Sequence, residues 1–239
     1  MSNPTATIVF LHGGGLILGN QDTGIGEAID WVEKLAVVVV SIDYRLAPGA
    51  RYAEIVDDCL EGLVWTAQHA RDWGAQRKPL VLAGMSAGGG LAVATAIRAL
   101  EVGAPPVAGQ LLLSPMLDDR TDATVQPHGG ELPIWDGISN ETGWSAALGA
   151  RRRVKREVTP ARATDLEGLP STYLEVGSVD LFLREDLLFA QRLIDSGVSV
   201  ECHVWPGAMH GFSTIAPDAR LSRRAREARR TWLEHLVSR

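Results

Sequence analysis

The stretch Pro79-Leu80-Val81-Leu82-Ala83-Gly84-Met85-Ser86-Ala87-Gly88 decides the reading of this chain. Its first five residues form an apolar run of strand character, and an Ala-rich helical pattern extends from Leu91 to Leu100. Ser86 therefore stands at a strand-to-helix junction. A serine on so tight a turn adopts a strained backbone, and small residues two before and two after it let the flanking backbones approach. Gly84, Ala87 and Gly88 meet that demand. The arrangement is a nucleophile elbow, which lifts a serine hydroxyl above the end of a strand. A bare Gly-x-Ser-x-Gly match more often marks an ordinary turn, so the rest of the chain has to supply the other parts.

Outward from the elbow, short β-branched runs alternate with longer amphipathic stretches. That pattern predicts an α/β fold with a mainly parallel sheet and helices on both faces. The predicted strands are Thr7 to Leu11, Val37 to Ile42, Leu80 to Ala83, Gly109 to Leu113, Thr172 to Val176 and Val198 to Trp205. Ala53 to Ala70, Leu91 to Leu100 and Glu185 to Ser196 read as helices, the last closed by Gly197. Near the C-terminus, Leu221, Ala225, Ala228, Trp232 and Leu236 fall at helical spacing and read as a core-facing stripe. One stretch breaks the alternation. From Asp118 to Leu169 there is no strand signal, and the segment reads as a lid-like insertion, with a helical piece from Ile138 to Leu148 over the C-terminal edge of the sheet. Trp135 and Trp144 lie within it, suited either to a pocket wall or to anchoring the insertion.

At 239 residues, the chain suits a single α/β domain over 1–239. Its formal net charge of -6 disfavours nucleic acid as the main partner. The basic runs Arg151-Arg152-Arg153, Lys155-Arg156 and Arg220 to Arg230 read as solvated or acid-paired helix faces. Cys59 and Cys202 lack metal-ligand spacing and read as buried free thiols. With no signal-like N-terminus and no apolar run long enough to span a bilayer, a cytoplasmic location away from membranes is expected.

A nucleophilic serine needs a base, an orienting acid and donors for the developing oxyanion. Of six histidines, His69 and His235 fall in helical patterns, His203 in a strand, His128 in the insertion, and His12 opens a glycine run. His210 sits in a loop after the last strand, in Pro206-Gly207-Ala208-Met209-His210-Gly211-Phe212. Asp180 follows the preceding strand and completes the order Ser86, Asp180, His210. Asp43, Asp118 and Asp119 are its rivals, since a strand-end Asp also serves as a helix cap. Donors come from His12-Gly13-Gly14-Gly15, where the N–H groups of Gly14 and Gly15 join that of Ala87. A phosphate cradle would need a following Lys-Ser/Thr or a Gly-x-Gly-x-x-Gly spacing, and neither occurs at this loop.

These motifs, with Asp43-Tyr44-Arg45-Leu46-Ala47-Pro48, Ser114-Pro115-Met116-Leu117-Asp118 and Asp180-Leu181, make the chain resemble the hormone-sensitive-lipase-like (family IV) esterases of the α/β-hydrolase superfamily. The resemblance implies an α/β-hydrolase fold and a serine carboxylesterase acting on short- to medium-chain esters through an acyl-enzyme. It implies Ser86, Asp180 and His210 as triad, Gly14, Gly15 and Ala87 as oxyanion hole, and neither metal nor organic cofactor. In that family the Asp-Tyr-Arg-Leu-Ala-Pro segment is structural.

Two departures stand out. Met85 occupies a position where the family usually carries an acid, and only eleven residues precede His12, where the family has cap helices and two further strands. The fold is thus expected to be N-terminally shortened, leaving the strand Thr7 to Leu11 as an open edge that a second copy or a rearranged segment would cover. Competing functional readings are a noncatalytic small-molecule-binding protein, against which the retained His210 argues, and a weakly active truncated hydrolase.

Overall fold

A computed structural model describes residues 4–121, 124, 134–149 and 159–238. Among these, six strands form one sheet: β1 (Thr7–Leu11), β2 (Val38–Ile42), β3 (Leu80–Met85), β4 (Gly109–Leu113), β5 (Ser171–Gly177) and β6 (Val200–Trp205). Their spatial order is β2-β1-β3-β4-β5-β6, and every neighbouring pair is parallel. The helices are α1 (Ile25–Leu35), α2 (Tyr52–His69), α3 (Ala87–Val102), α4 (Gly137–Leu148), α5 (Leu183–Asp195), α6 (Phe212–Ile215) and α7 (Arg220–Val237).

The central strands are apolar at nearly every position because both faces are covered, and alternate residues feed different cores. Val9, Leu11, Leu82, Leu112 and Leu174 pack with residues of α2, α3 and α5. Ile8, Phe10, Val81, Ala83, Leu111 and Tyr173 pack with α1 and α7, where Phe10 meets Trp31 edge-on at 6.0 Å.

The order of the strands also locates the place for chemistry. After β1 the chain crosses one way to β2, then returns past β1 to β3 and continues the other way. The loops after β1 and β3 therefore diverge at a topological switch point, where open parallel sheets leave a crevice beyond their strand ends. Leu11 pairs in register with Gly84, and Met85 with Leu113. The glycine loop, the elbow and the loop beginning at Ser114 consequently leave the sheet at one level.

Several expectations are corrected. The open edge is β2 and not the strand Thr7–Leu11, because the crossover through α1 lays β2 beside β1 and pairs all five of its residues. Cys202 is exposed, since β6 is the opposite edge of the sheet, whereas Cys59 is buried. Helix α3 begins directly after Ser86 and includes Gly88, Gly89 and Gly90, whose poor helix propensity hides its first turn in the sequence. Helix α1, with Ala28, Trp31 and Leu35 inward, was not expected as a helix. It starts on a left-handed Gly24 without a side-chain cap, so the usual start signal is missing. The basic run 151–156 and His128 lie outside the described residues.

Candidate active site

Ser86 has φ 55° and ψ −123°, the strained conformation a nucleophile elbow demands. Backbone hydrogen bonds hold it there: its N–H donates to the Leu113 carbonyl at 2.9 Å, and its own carbonyl accepts from Met116 at 2.9 Å and Gly90 at 3.1 Å. Gly88 shows why small residues are required. A Cβ there would fall 2.0 Å from the Leu11 carbonyl oxygen, so any side chain would push the elbow away from β1.

Above the elbow, Ser86 Oγ lies 3.0 Å from His210 Nε2, and His210 Nδ1 lies 2.9 Å from Asp180 Oδ2. A carboxylate on Nδ1 selects the tautomer with its proton there, leaving Nε2 to accept the Ser86 hydroxyl proton. The other Asp180 oxygen accepts the Phe182 N–H at 3.0 Å, and the Phe182 ring meets the imidazole edge-on. Burial works against the Asp180 charge, but the adjacent His210 and the hydrogen bonds outweigh it and hold the carboxyl below its ordinary range.

Two of the three rival carboxylates are engaged elsewhere. Asp119 binds the Arg162 guanidinium through two hydrogen bonds of 2.6 and 2.8 Å, and Asp118 pairs with Arg120. Among the other histidines, His203 pairs with Glu201 on β6, and the His69 ring stacks on Trp65. His12 is buried, and burial lowers its pKa despite a hydrogen bond to the Gly13 carbonyl. It anchors the glycine loop.

Gly14 and Gly15 have φ 122° and 60°, which frees their N–H groups from the extended path of β1. Ala87 is the first residue of α3, so its N–H has no intrahelical acceptor. Two parts of the insertion press on this loop. A Cβ on Gly15 would lie 1.9 Å from the Trp135 ring, and one on Gly143 of α4 would lie 2.3 Å from the Gly15 carbonyl oxygen. Trp135 is thus a wall over the glycine loop, fixed by its indole N–H donating to Asn140 at 3.2 Å. Trp144 is buried against Tyr52 and anchors α4.

The Asp43-to-Pro48 segment is structural. Arg45 forks onto Asp58, Tyr44 stacks on His12, Ala47 N–H binds the Leu16 carbonyl at 2.9 Å, and the Ala47–Pro48 peptide is cis. Met85 turns towards Gly24 and packs, partly buried, against the core that includes Phe10. Two buried acids escaped the sequence reading. Glu185 accepts the Leu117 and Asp118 N–H groups at 2.7 and 3.1 Å, and Asp186 has no partner for either oxygen among the described residues. Their helical spacing looked like ordinary surface.

Among the described residues, no helix is long and apolar enough to cross a membrane, and no group of His, Cys, Asp and Glu could hold a metal ion.

Comparison with known proteins agrees with this geometry. A family model described as α/β hydrolase fold matches residues 8–214. Esterase LipI of Mycobacterium tuberculosis is 32% identical over 208 residues, covering 86% of this chain and 65% of that protein. The chain thus spans slightly under two thirds of that relative. A solved structure of a bacterial heroin esterase superposes with a TM-score of 0.91 at 32% identity, over 99% of this chain and 76% of that one. The HSL-homolog EstE7 from a metagenome library gives a TM-score of 0.84 at 27% identity, over 99% and 80%. With the elbow, the glycine loop and their spacing, these likenesses mean that the chain belongs to the α/β-hydrolase family, in its hormone-sensitive-lipase-like branch.

Proposed function

We propose that this chain is a serine carboxylesterase, with Ser86 as nucleophile, His210 as general base and acid, and Asp180 as the group that orients the imidazole. The observation that carries the reading is the unbroken chain from Ser86 Oγ through both nitrogens of His210 to Asp180. His210 Nε2 takes the hydroxyl proton as Ser86 Oγ bonds to the ester carbonyl carbon. In this reading the N–H groups of Gly14, Gly15 and Ala87 receive the resulting oxyanion. Collapse of the tetrahedral intermediate expels the alcohol, which takes its proton from His210. Water, activated by the same imidazole, then releases the acid and restores Ser86.

The substrate is a small ester, and we assign it a short to medium acyl chain because Trp135 stands over the glycine loop. In this reading the segment 118–169 acts as a lid on a single domain. The test combines fluorophosphonate labelling with hydrolysis of p-nitrophenyl esters of increasing length. Wild type is expected to be labelled once and to hydrolyse the shorter esters, while Ser86→Ala does neither. An inert wild type, or an active Ser86→Ala, rejects the mechanism.

We further propose that a second copy covers β2. That strand offers five uncharged, half-buried residues, and α1, packed beside it, exposes Ile29 and Val32. The opposite edge carries the charged Glu201, hydrogen-bonded to His203, and a charge there discourages pairing. Light scattering that returns only monomer excludes this assembly.

A further inference from the structure

Two arginines one turn apart on α7 grip the same residue of the base-bearing segment. Arg226 donates to the Ser213 carbonyl at 2.9 Å, and Arg229 Nη2 donates to the Ser213 hydroxyl at 2.9 Å. Ser213 is three residues beyond His210, on the short helix α6 that Gly211 starts in a left-handed conformation.

Arg229 does more than hold α6. It is 1% exposed, and its guanidinium also binds Glu175 on β5 through Nε, at 3.1 Å, and Nη2. Its Nη1 reaches Glu27 on α1 at 2.6 Å. Glu175 is fixed in turn by the Tyr173 hydroxyl at 2.8 Å, and the Glu175 backbone carbonyl accepts the Ser114 N–H at 2.7 Å. One planar fork therefore joins the strand leading to Asp180, the helix following His210 and the helix under Met85. Ser86, Ser114, His210, Ser213, Glu175 and Arg229 line one small pocket behind the nucleophile.

So costly a burial of charge has no counterpart elsewhere among the described arginines, and its place explains it. The two triad partners of Ser86 come from separate loops, and a turn as glycine-rich as Gly207 to Gly211 cannot by itself fix an imidazole. We propose that Arg229 is a positioning residue for catalysis: acting through Ser213, it fixes His210 relative to Asp180 and Ser86. Five donors in a rigid plane suit that task, and a lysine, with three donors on one atom, cannot reproduce the four hydrogen bonds that three guanidinium nitrogens make to Glu175, Glu27 and Ser213.

The inference rests on the esterase reading, and its test separates the two. Ser213→Ala removes only the hydroxyl acceptor and leaves the arginine paired with both glutamates. Arg229→Lys keeps the charge and loses the fork. Activity on a p-nitrophenyl ester is expressed per fluorophosphonate-titrated site, so that loss of folded protein does not enter. Both variants are expected to lose about tenfold in kcat with KM within about twofold, as a small misplacement of a reacting group does. The double variant is expected to be no worse than Arg229→Lys alone. Wild-type kcat per titrated site in both variants, or a change in KM alone, overturns the proposal whatever happens to the melting temperature. If Arg229→Lys does not fold, Ser213→Ala decides by the same criterion. An inactive, unlabelled wild type would instead reject the esterase reading.

Discussion

Tyr44 lies flat on His12, with ring centroids 4.1 Å apart and planes 7° from parallel, and its hydroxyl donates to the His12 carbonyl at 2.6 Å. The segment after β2 thereby fastens the start of the glycine loop after β1. Replacing Tyr44 by Phe keeps the stack and removes the hydrogen bond. The expected cost is about 1 kcal/mol of stability, with a fall in kcat because the donors at Gly14 and Gly15 loosen. Urea unfolding and steady-state kinetics on one ester check both effects.

The same buried ring gives a pH signature. Burial lowers the pKa of His12, so the unfolded chain takes up a proton before the folded one does. Its contribution is complete above the ordinary histidine value and declines as pH falls from there towards the depressed folded value. A His12→Asn variant is expected to flatten that part of the melting-temperature profile between pH 7 and 5.

Asp180 predicts both a rate and a stability effect. Asp180→Asn leaves a neighbour able to favour the wrong imidazole tautomer, and kcat is expected to fall by about four orders of magnitude at neutral pH. Because the folded carboxyl titrates below its ordinary range, its contribution to stability is full above the unfolded pKa and is lost as pH falls through the folded one. Acid unfolding of the Ser86→Ala background, with and without Asp180→Asn, isolates that contribution from catalysis.

Glu185 behaves in the opposite sense. Burial pushes its carboxyl up to about 8, even though the Thr121 hydroxyl and two backbone N–H groups point at it. Between the ordinary glutamate value and about 8, the unfolded chain releases a proton that the folded chain keeps. Stability therefore falls as pH rises through that window and levels off above it. Glu185→Gln retains acceptors for Leu117 and Asp118 without the titration. Its melting temperature relative to wild type is expected to improve from pH 5 to pH 8; a constant difference would show that Glu185 is ionised throughout.

In the proposed reaction, Trp135 over Gly15 limits the length of the acyl chain. Trp135→Ala opens the space above Gly15, and the preferred p-nitrophenyl ester is expected to lengthen by several carbons, each buried methylene contributing about 0.8 kcal/mol. Gly15→Ala, which adds a Cβ at φ 60° and 1.9 Å from the same ring, is expected to lower kcat on every ester. A profile of kcat/KM against chain length distinguishes a shifted optimum from a uniform loss.

The sheet and the grouping of Ser86, His210 and Asp180 are legible in the sequence because their signals are local. A strand buried on both faces reads as an apolar run, and the elbow, the glycine loop and the order of Ser86, Asp180 and His210 are written in short motifs. What stayed hidden depends on contacts between distant segments. Arg229 sits inside a basic run that reads as a solvated face, and only the approach of Glu27 and Glu175 from other elements makes it a buried centre. The pairing of β1 with β2 was missed for the same reason, since register between strands joined by a crossover has no signature in either strand.

The contact between Gly143 and the Gly15 carbonyl has a consequence for how this enzyme family member can change. That seam is backbone against backbone, and a single methyl group on Gly143 would collide with it. Mutation can therefore re-line the walls around the seam, beginning with Trp135, while the junction of α4 with the glycine loop stays closed to any side chain at 143. In the proposed reaction, the ester preference would then shift through what surrounds the reacting carbonyl, with the backbone of Gly14 and Gly15 left as it is.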